Sequence, residues 1–373
     1  MPPPRKDIVT PGEEGIYHCV ARCVRRSFLC GQDPYTGQNF EHRKEWVQAR
    51  MIGLADLFAM DIMTYAVMSN HHHICLRARP DIVKRLSDRQ VAERWLRALP
   101  RRFDEKWRPL AVDENEVQRI LNDSDKLLTL RARLADLSWF MRYLNEFIAR
   151  RANAEDNVTG HFFEGRFKCT QLLGPEAVLA AATYIDLNPI RAMRADSPEL
   201  SEFTGAYDRI QARQGIAKIM TLAEARRLGS ASNLAPAPAR GRLNQDQIDQ
   251  IRTAFNARTC DRWLCPLDNR GDSTGLDTRR GVLPVSVGEY LELLDWTGRQ
   301  IRLDKRGAIP AHLAPILKRL ALDVSAWLRM VEGMGTLFWR VVGRVEAIAV
   351  RARDAGKRWF KGLSASRSIY GTT

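Results

Sequence analysis

Three consecutive histidines, His71, His72 and His73, lie in an otherwise apolar segment, "YAVMSNHHHICLRA". On a β-strand successive side chains alternate between faces, so His71 and His73 would share one face and His72 would take the other. Two imidazoles two residues apart can jointly bind one divalent metal ion, with a further ligand from elsewhere in the fold. The alternative is a polar hairpin edge with three solvated histidines, which the triplet alone slightly favours.

A second group of residues with chemical potential lies in "TYIDLNPIRA", where Tyr184 and Asn188 are four residues apart. On a helix this spacing places both side chains on one face. The amide oxygen of Asn188 suits magnesium or manganese. The phenol of Tyr184 is a poor nucleophile at its ordinary pKa of about 10 unless its target is activated, for example by a metal that polarises a phosphate oxygen. Taken alone, the pair is better explained as a core tyrosine and a helix-terminal asparagine before Pro189.

The hydrophobic pattern predicts the elements that must position these residues. Strands are predicted in "GIYHCVARCV", "DIMTYAVM", "HHHICLRA" and "GHFFEGRFKCTQLL". Helices are predicted in "EHRKEWVQARMIGLADLFAM", in "SWFMRYLNEFIARRANAED" with Ser138 as its cap, and in "EAVLAAATYIDLN". Residues 80–135 are charged and are predicted to be helical.

Composition bounds the class of protein. The chain has 373 residues, of which 45% are hydrophobic and 27% charged, as in soluble globular proteins of up to two domains. No apolar run approaches the roughly 20 residues of a membrane span, and the first residues lack an apolar signal-peptide core, so a cytosolic location is expected. The seven dispersed cysteines are expected to be free thiols, because no second pair completes a zinc pattern.

The net charge of +14 suggests a polyanionic partner, most often nucleic acid. The excess of basic residues is shared between the part of the chain before residue 245 and the part after it, and does not form a tail. The stretch "LGSASNLAPAPARGRLNQ", residues 228–245, is small, polar and proline-rich and is predicted to be a linker. It would separate residues 1–227 from a helical, basic C-terminal region, residues 246–373.

Four segments in order, "YAVMSNHHHICL", "LSWFMRYLNEFIARRANAEDNVTG", "HFFEGRFK" and "YIDLNPIRA", together resemble the REP-associated tyrosine transposases. These are a branch of the single-tyrosine HUH transposases, where HUH means His-hydrophobic-His. The resemblance covers roughly residues 15–195 and extends more faintly to "YLELLDWTGRQIRLDKRGAIP". Two positions depart from the pattern: His72 fills a usually apolar slot, and Ser69 stands where many relatives have proline.

The resemblance implies an α+β fold: a ferredoxin-like or RRM-like antiparallel sheet with helices on one face (the HUH nuclease fold), followed by a mostly helical C-terminal region. Residues 1–227 would be the catalytic domain, with residues 80–135 as a helical insert. The implied metal ligands are His71, His73 and Asn188, and the implied nucleophile is Tyr184. The implied DNA contacts are Arg166, Lys168 and Arg191.

The implied activity is metal-dependent cleavage and joining of single-stranded DNA at hairpin-forming repeats, through a 5′-phosphotyrosine intermediate and with Mg²⁺ or Mn²⁺ as cofactor. The partner would be single-stranded or hairpin DNA, in a cytoplasmic, nucleoid-associated setting, with a monomer and a homodimer equally open. Phe162, Phe163 and Trp359 are candidates to stack on bases, although one of the two phenylalanines is expected in the core. The chief alternative is a non-catalytic or domesticated DNA-binding protein of the same fold; a metal-dependent hydrolase of small molecules is a more distant one.

Overall fold

The computed structural model describes residues 7–24, 29–33, 37–100, 110–231, 252–254, 256–257, 259–268, 281–301, 323–338 and 340–370. Its strands are β1 (Gly15–Arg22), β2 (Met60–Val67), β3 (His71–Ala78), β4 (Lys168–Leu172) and the short β5 (Val341–Val342). They form one sheet in the order β2-β3-β1-β4-β5. The first four strands pair antiparallel, as predicted, whereas β5 runs parallel to β4.

The helices before β4 are α1 (Arg43–Leu57), α2 (Pro80–Arg85), α3 (Asp88–Ala98), α4 (Glu114–Leu121), α5 (Ser124–Leu134) and α6 (Leu137–Glu155). After β4 come α7 (Pro175–Asp186), α8 (Asn188–Arg191), α9 (Gly205–Ala231), α10 (Val287–Ile301), α11 (Val324–Gly333), α12 (Val345–Asp354) and α13 (Leu363–Tyr370). The order β1-α1-β2-β3-α6-β4 is the ferredoxin-like succession of elements. The helices α2 to α5 are inserted between β3 and α6, where the charged segment was predicted to be helical.

One face of the sheet is covered by α1 and α6. Helix α1 buries Val47, Met51 and Leu54, which are three or four residues apart and therefore lie on one side of the helix. Helix α6 buries Phe140 and Leu144 with the same spacing. These side chains form one hydrophobic core with the residues of the sheet that point to this face.

The prediction of helices on one face only is wrong, because α7 packs against β2 and β3 on the opposite face, and α10 and α11 pack on α7. Met63 and Cys75 from the sheet belong to the same buried cluster as Leu293 and Trp327 from the C-terminal helices. Strand β2 is buried along its whole length, which is the pattern of a strand covered on both sides. Helix α7 is rich in alanine, so its backbone can approach the sheet closely.

The C-terminal elements therefore share a core with the sheet. Strand β5 extends the sheet at its β4 edge, and Arg344 Nε lies 3.0 Å from Glu176 Oε1 of α7. The predicted linker, residues 228–245, begins within α9, and residues 232–245 lie outside the described residues. The partition into two domains stays a prediction.

All seven cysteines are free thiols, and all except Cys260 are buried. Burial is the main cause that raises the pKa of Cys30 to about 12, so this thiol behaves as a small hydrophobic side chain and not as a reactive thiolate. The finding agrees with the sequence prediction for the cysteines. Within the ranges that the structure describes, no helix is both long and apolar enough to cross a bilayer.

Candidate active site

The three histidines take alternate faces of β3. His71 and His73 lie on the face toward α7, with ring centroids 4.8 Å apart. His72 lies on the other face, where its ring centroid is 5.9 Å from that of Phe163 in the core under α1 and α6. The strand's two-residue period therefore brings together His71 and His73 and separates His72 from them.

Tyr184 of α7 lies above the paired histidines. Its ring centroid is 5.7 Å from that of His73, and its side chain is half-buried. Helix α7 crosses the sheet at β2 and β3, so a residue near its C-terminal end is held over the histidine pair by core packing. The structure thus brings Tyr184, His71 and His73 to one place.

A further residue of this cluster, His18 on β1, is not among the residues that the sequence singled out. Its Nε2 atom is 2.8 Å from Nδ1 of His73, and its ring centroid is 5.9 Å from that of Tyr184. Alternation on β1 places His18 on one face of the strand, but only the pairing of β1 with β3 brings that face to His71 and His73. His18, Val20 and Arg22 share one strand face, and Arg22 and Val20 pair across the sheet with His71 and His73.

These residues line a cavity of about 630 Å³. Its described lining contains cationic residues, namely Arg22, Arg166, Lys168 and Arg340, and the acidic residue Glu164. Arg166 and Lys168, predicted to contact DNA, therefore lie at the cavity. The third predicted DNA contact, Arg191, is instead placed with its guanidinium carbon 4.8 Å from the Tyr184 ring centroid, a cation–π contact.

One wall of the cavity comes from the C-terminal region. Met334, Gly335 and Phe338 belong to the lining. Gly335 approaches the tyrosine so closely that a Cβ atom there would lie 3.1 Å from the Tyr184 hydroxyl oxygen. Glycine at this position leaves room for the hydroxyl, so the region after α11 shapes access to Tyr184.

Asn188, the third predicted metal ligand, is not part of the cavity lining. Its Nδ2 atom donates a hydrogen bond to the backbone oxygen of Tyr184 over 2.9 Å. Helix α7 ends at Asp186 and Asn188 opens the separate helix α8, so Asn188 does not continue the helix face of Tyr184. The amide instead satisfies a carbonyl in the last turn of α7.

His71 and His73 suit a divalent metal ion. Burial, together with Arg22 and Lys168, lowers the pKa of His71 to about 4, and burial and neighbouring His18 hold the pKa of His73 well below its usual value. Both rings are therefore neutral at pH 7, the form that binds metal. The Nε2 atom of His73 is buried and has no hydrogen-bond partner among the described residues. Among the residues that the structure describes, no group of three or more His, Cys, Asp or Glu side chains is arranged to hold a metal. His71 and His73 therefore suit a metal ion, but these described residues do not form a complete ligand set.

His72 is fully buried, and neither of its ring nitrogens has a hydrogen-bond partner among the described residues. Replacing it with leucine removes two unsatisfied polar atoms from an apolar core, so we expect His72→Leu to raise the free energy of unfolding by about 1–3 kcal/mol at pH 7.5. Urea unfolding followed by circular dichroism measures the change, with the exposed His161→Leu as control. A loss of stability in His72→Leu alone would contradict the unsatisfied placement.

The same substitution has a pH signature. Burial lowers the pKa of His72 to about 3, so as pH falls below 6.5 the unfolded state takes up a proton that the folded state refuses. The stability that depends on neutral His72 is thus complete above pH 6.5 and is lost progressively toward pH 3. The advantage of His72→Leu over wild type should grow by about 2 kcal/mol between pH 7.5 and pH 5.

No family model matches the chain, and no curated protein sequence matches it. One solved structure, described as a REP-associated tyrosine transposase bound to a REP hairpin, aligns at 10% sequence identity and a TM-score of 0.32. The alignment covers 65% of this chain and 96% of that chain. A TM-score at this level does not establish a shared fold, and the function is therefore argued from the site itself.

Proposed function

We propose that the protein is a metal-dependent endonuclease and strand transferase for single-stranded DNA, with Tyr184 as its nucleophile. The observation that carries the proposal is the convergence of Tyr184, His71 and His73 in one cavity lined by cationic residues. A half-buried tyrosine beside two neutral histidines suits attack on a phosphodiester. Hairpin-forming DNA is proposed as the substrate because the order of the sequence segments resembles that of REP-associated tyrosine transposases.

The cationic lining suits a substrate with a phosphate backbone. Cationic side chains that line the cavity come from β1 (Arg22), from the first residue of β4 (Lys168) and from the segment just before it (Arg166). Positive side chains placed in this way hold phosphates independently of base sequence. The net charge of +14 adds a long-range attraction for any nucleic acid.

Strand cleavage balances without an external energy source. The phenol oxygen of Tyr184 forms a bond to phosphorus while the bond from phosphorus to the 3′ oxygen breaks. The phenol proton is lost, the released 3′ oxygen gains a proton, and the 5′ phosphate stays on the tyrosine. A divalent ion at His71 and His73 would supply stabilisation of the charge that develops on the phosphate. Attack by a different 3′-hydroxyl reverses the step and joins two strands.

The decisive test is a covalent adduct. Wild type is incubated with single-stranded hairpin oligonucleotides labelled at the 3′ end, which stays with the 5′-phosphotyrosine, and with Mn²⁺ or Mg²⁺, and the mixture is resolved on a denaturing gel. We expect a labelled protein band in wild type and in the control Tyr207→Phe, and none in Tyr184→Phe or after chelation. The phenylalanine variant removes the attacking oxygen and keeps the ring packing. An adduct that survives in Tyr184→Phe would mean that another residue is the nucleophile.

The alternative function, a non-catalytic or domesticated DNA-binding protein that recognises repeat hairpins, is favoured by two observations. Asn188 lies outside the cavity, and the described residues form no complete metal-ligand set. Hairpin binding by wild type without an adduct at any metal concentration would support this alternative and overturn the nuclease proposal.

Of the three aromatic candidates for base stacking, only Trp359 is exposed enough to support the role. Phe162 and Phe163 are 4% and 9% exposed and belong to the core, so they are not available to bases. Trp359 is 62% exposed and stands in a loop with the exposed cations Lys357 and Arg358.

This loop lies near the cavity. Asp7 Oδ2 lies 3.2 Å from Lys357 Nζ and 3.7 Å from Nη1 of the cavity residue Arg340. Proteins that bind single-stranded nucleic acid combine cationic side chains with exposed aromatic side chains on which bases stack.

We expect Trp359→Ala to weaken binding of a single-stranded oligonucleotide by about 10-fold, because stacking contributes roughly 1–3 kcal/mol per base. Trp359→Phe, which keeps an aromatic face, should lose much less. Fluorescence anisotropy at fixed salt measures both affinities. Equal affinities of wild type and Trp359→Ala would show that the loop with Trp359 does not contact the DNA.

A further inference from the structure

We propose that His18 is a positioning residue that holds His73 in the tautomer with its proton on Nδ1. The Nε2 lone pair of His73 is then left for a ligand in the cavity. The inference deepens the proposed function, since the ligand in question is the metal ion that His71 and His73 would bind. The tautomer of His73 can be tested without any DNA.

The hydrogen bond between the two rings carries the inference. His18 Nε2 lies 2.8 Å from His73 Nδ1, and the ring centroids are 5.1 Å apart with an interplanar angle of 22°. Both side chains are almost fully buried, His18 with 6% and His73 with 4% exposure. A bond between two neutral imidazoles needs one donor and one acceptor, so its direction fixes the tautomer of each ring.

The burial of His73 Nε2 decides the direction. If His18 donated the proton, the proton of neutral His73 would sit on Nε2, a buried atom with no partner among the described residues. An unpaired buried N–H is the rarer and more costly arrangement. If His73 Nδ1 donates to His18 instead, Nε2 is an unprotonated acceptor that a metal ion can use. An unprotonated Nε2 on His73 therefore accounts for the missing hydrogen-bond partner of this atom and leaves it available to a metal ion shared with His71.

His71 is held in a parallel way by a different neighbour. Its Nδ1 atom is 2.6 Å from Oδ1 of Asn70, an oxygen that only accepts, so His71 Nδ1 must donate. The proton on Nδ1 leaves His71 with its lone pair on Nε2. His71 and His73 would thus present the same ring atom, each oriented by an acceptor behind it, an arrangement that is common behind metal-binding histidines.

The test compares His18→Gln with His18→Leu in the full-length, metal-free protein. The side-chain amide of glutamine reaches about as far as the imidazole Nε2 and keeps an acceptor, whereas leucine offers none. Long-range ¹H–¹⁵N correlation spectra of ¹⁵N-histidine-labelled protein report which nitrogen of His73 is protonated. Calorimetric titration with Mn²⁺ alone reports affinity, and near-ultraviolet circular dichroism checks that each variant is folded.

We expect the Nδ1–H tautomer of His73 in wild type and in His18→Gln, and a shift toward the Nε2–H tautomer in His18→Leu. Mn²⁺ affinity should fall about 10- to 100-fold in His18→Leu and recover to within a few-fold of wild type in His18→Gln. An Nε2–H tautomer in wild type, or an unchanged tautomer and affinity in folded His18→Leu, overturns the proposal. If Mn²⁺ affinity follows the tautomer but wild type makes no DNA adduct, the positioning role of His18 stands and the nuclease function falls.

Discussion

His71→Ala and His73→Ala are each expected to lower adduct formation at pH 7.5 by at least about 100-fold, whereas His72→Leu retains the wild-type level. The imidazoles of His71 and His73 line the cavity under Tyr184, whereas that of His72 packs on Phe163 on the opposite face of the sheet. Three neighbours in sequence therefore separate into two functional positions and one structural position. Initial rates of adduct formation on one labelled oligonucleotide, at equal concentrations of folded protein, measure the contrast.

The controls follow from the same geometry. Raising the metal concentration should recover part of the activity in His71→Ala, in which His73 and its bond to His18 remain. It should recover none in the double variant of His71 and His73. Loss of the adduct in well-folded His72→Leu, with activity retained in His73→Ala, would contradict the assignment of faces.

How much of this site follows from the sequence depends on the range of the interaction concerned. The separation of His72 from its neighbours follows from the two-residue period of a strand, which is a local property. That Tyr184 belongs to the same cavity does not follow from any local period. It required the ordered likeness of four segments, and in the fold it results from α7 packing across β2 and β3. His18 was missed because a single histidine on a strand carries no signal until its pairing partner is known.

Asn188 shows where a local rule failed. A spacing of four places two residues on one helix face only while the helix continues, and α7 ends between Tyr184 and Asn188. Pro189 was expected to end the helix, but the backbone turns two residues earlier and begins α8. Because α7 ends there, the side-chain amide of Asn188 bonds to the backbone carbonyl of Tyr184 and does not enter the cavity.

The second face of the sheet was missed for a related reason. The segment of β2 shows apolar residues at most positions, which suits a strand covered on both sides as well as a half-buried one. Which elements cover that face is decided by contacts between residues more than 100 positions apart, such as those of α10 and α11 with α7. Gly335 and Arg340 line the cavity because of these long-range contacts, and no sequence pattern predicts their position.

Asp186 is the buried carboxylate on which this second face depends. Its Oδ1 atom accepts hydrogen bonds from Thr64 Oγ1 over 2.7 Å and from Ala206 N over 3.1 Å, and its Oδ2 atom accepts one from the Tyr290 hydroxyl. The side chain is completely buried, and burial raises its pKa against the opposing effect of these hydrogen bonds. One carboxylate thus joins β2, α7, the start of α9 and α10.

Asp186→Ala is expected to lower the free energy of unfolding by about 3–5 kcal/mol, because it leaves several buried donors without an acceptor. Urea unfolding measures this loss. The exposed Asp295→Ala, which removes only the surface pair with Arg299, should change stability by less than about 1 kcal/mol. A loss of similar size in both variants would mean that the buried junction does not form in solution.

Tyr290, which bonds to Asp186, lies beyond the predicted linker and therefore allows a sharper test of the two-domain prediction. In a double-mutant cycle, Asp186→Ala and Tyr290→Phe should be coupled by about 1 kcal/mol or more, because the hydroxyl and the carboxylate are bonded directly. Tyr290→Phe alone should also destabilise the sheet, since α10 would lose a polar contact that fixes it against α7. Additive effects, with Tyr290→Phe leaving the main unfolding transition unchanged, would show that the C-terminal helices unfold independently. The wall of the cavity that includes Gly335 would then be a movable part of the site and not a fixed one.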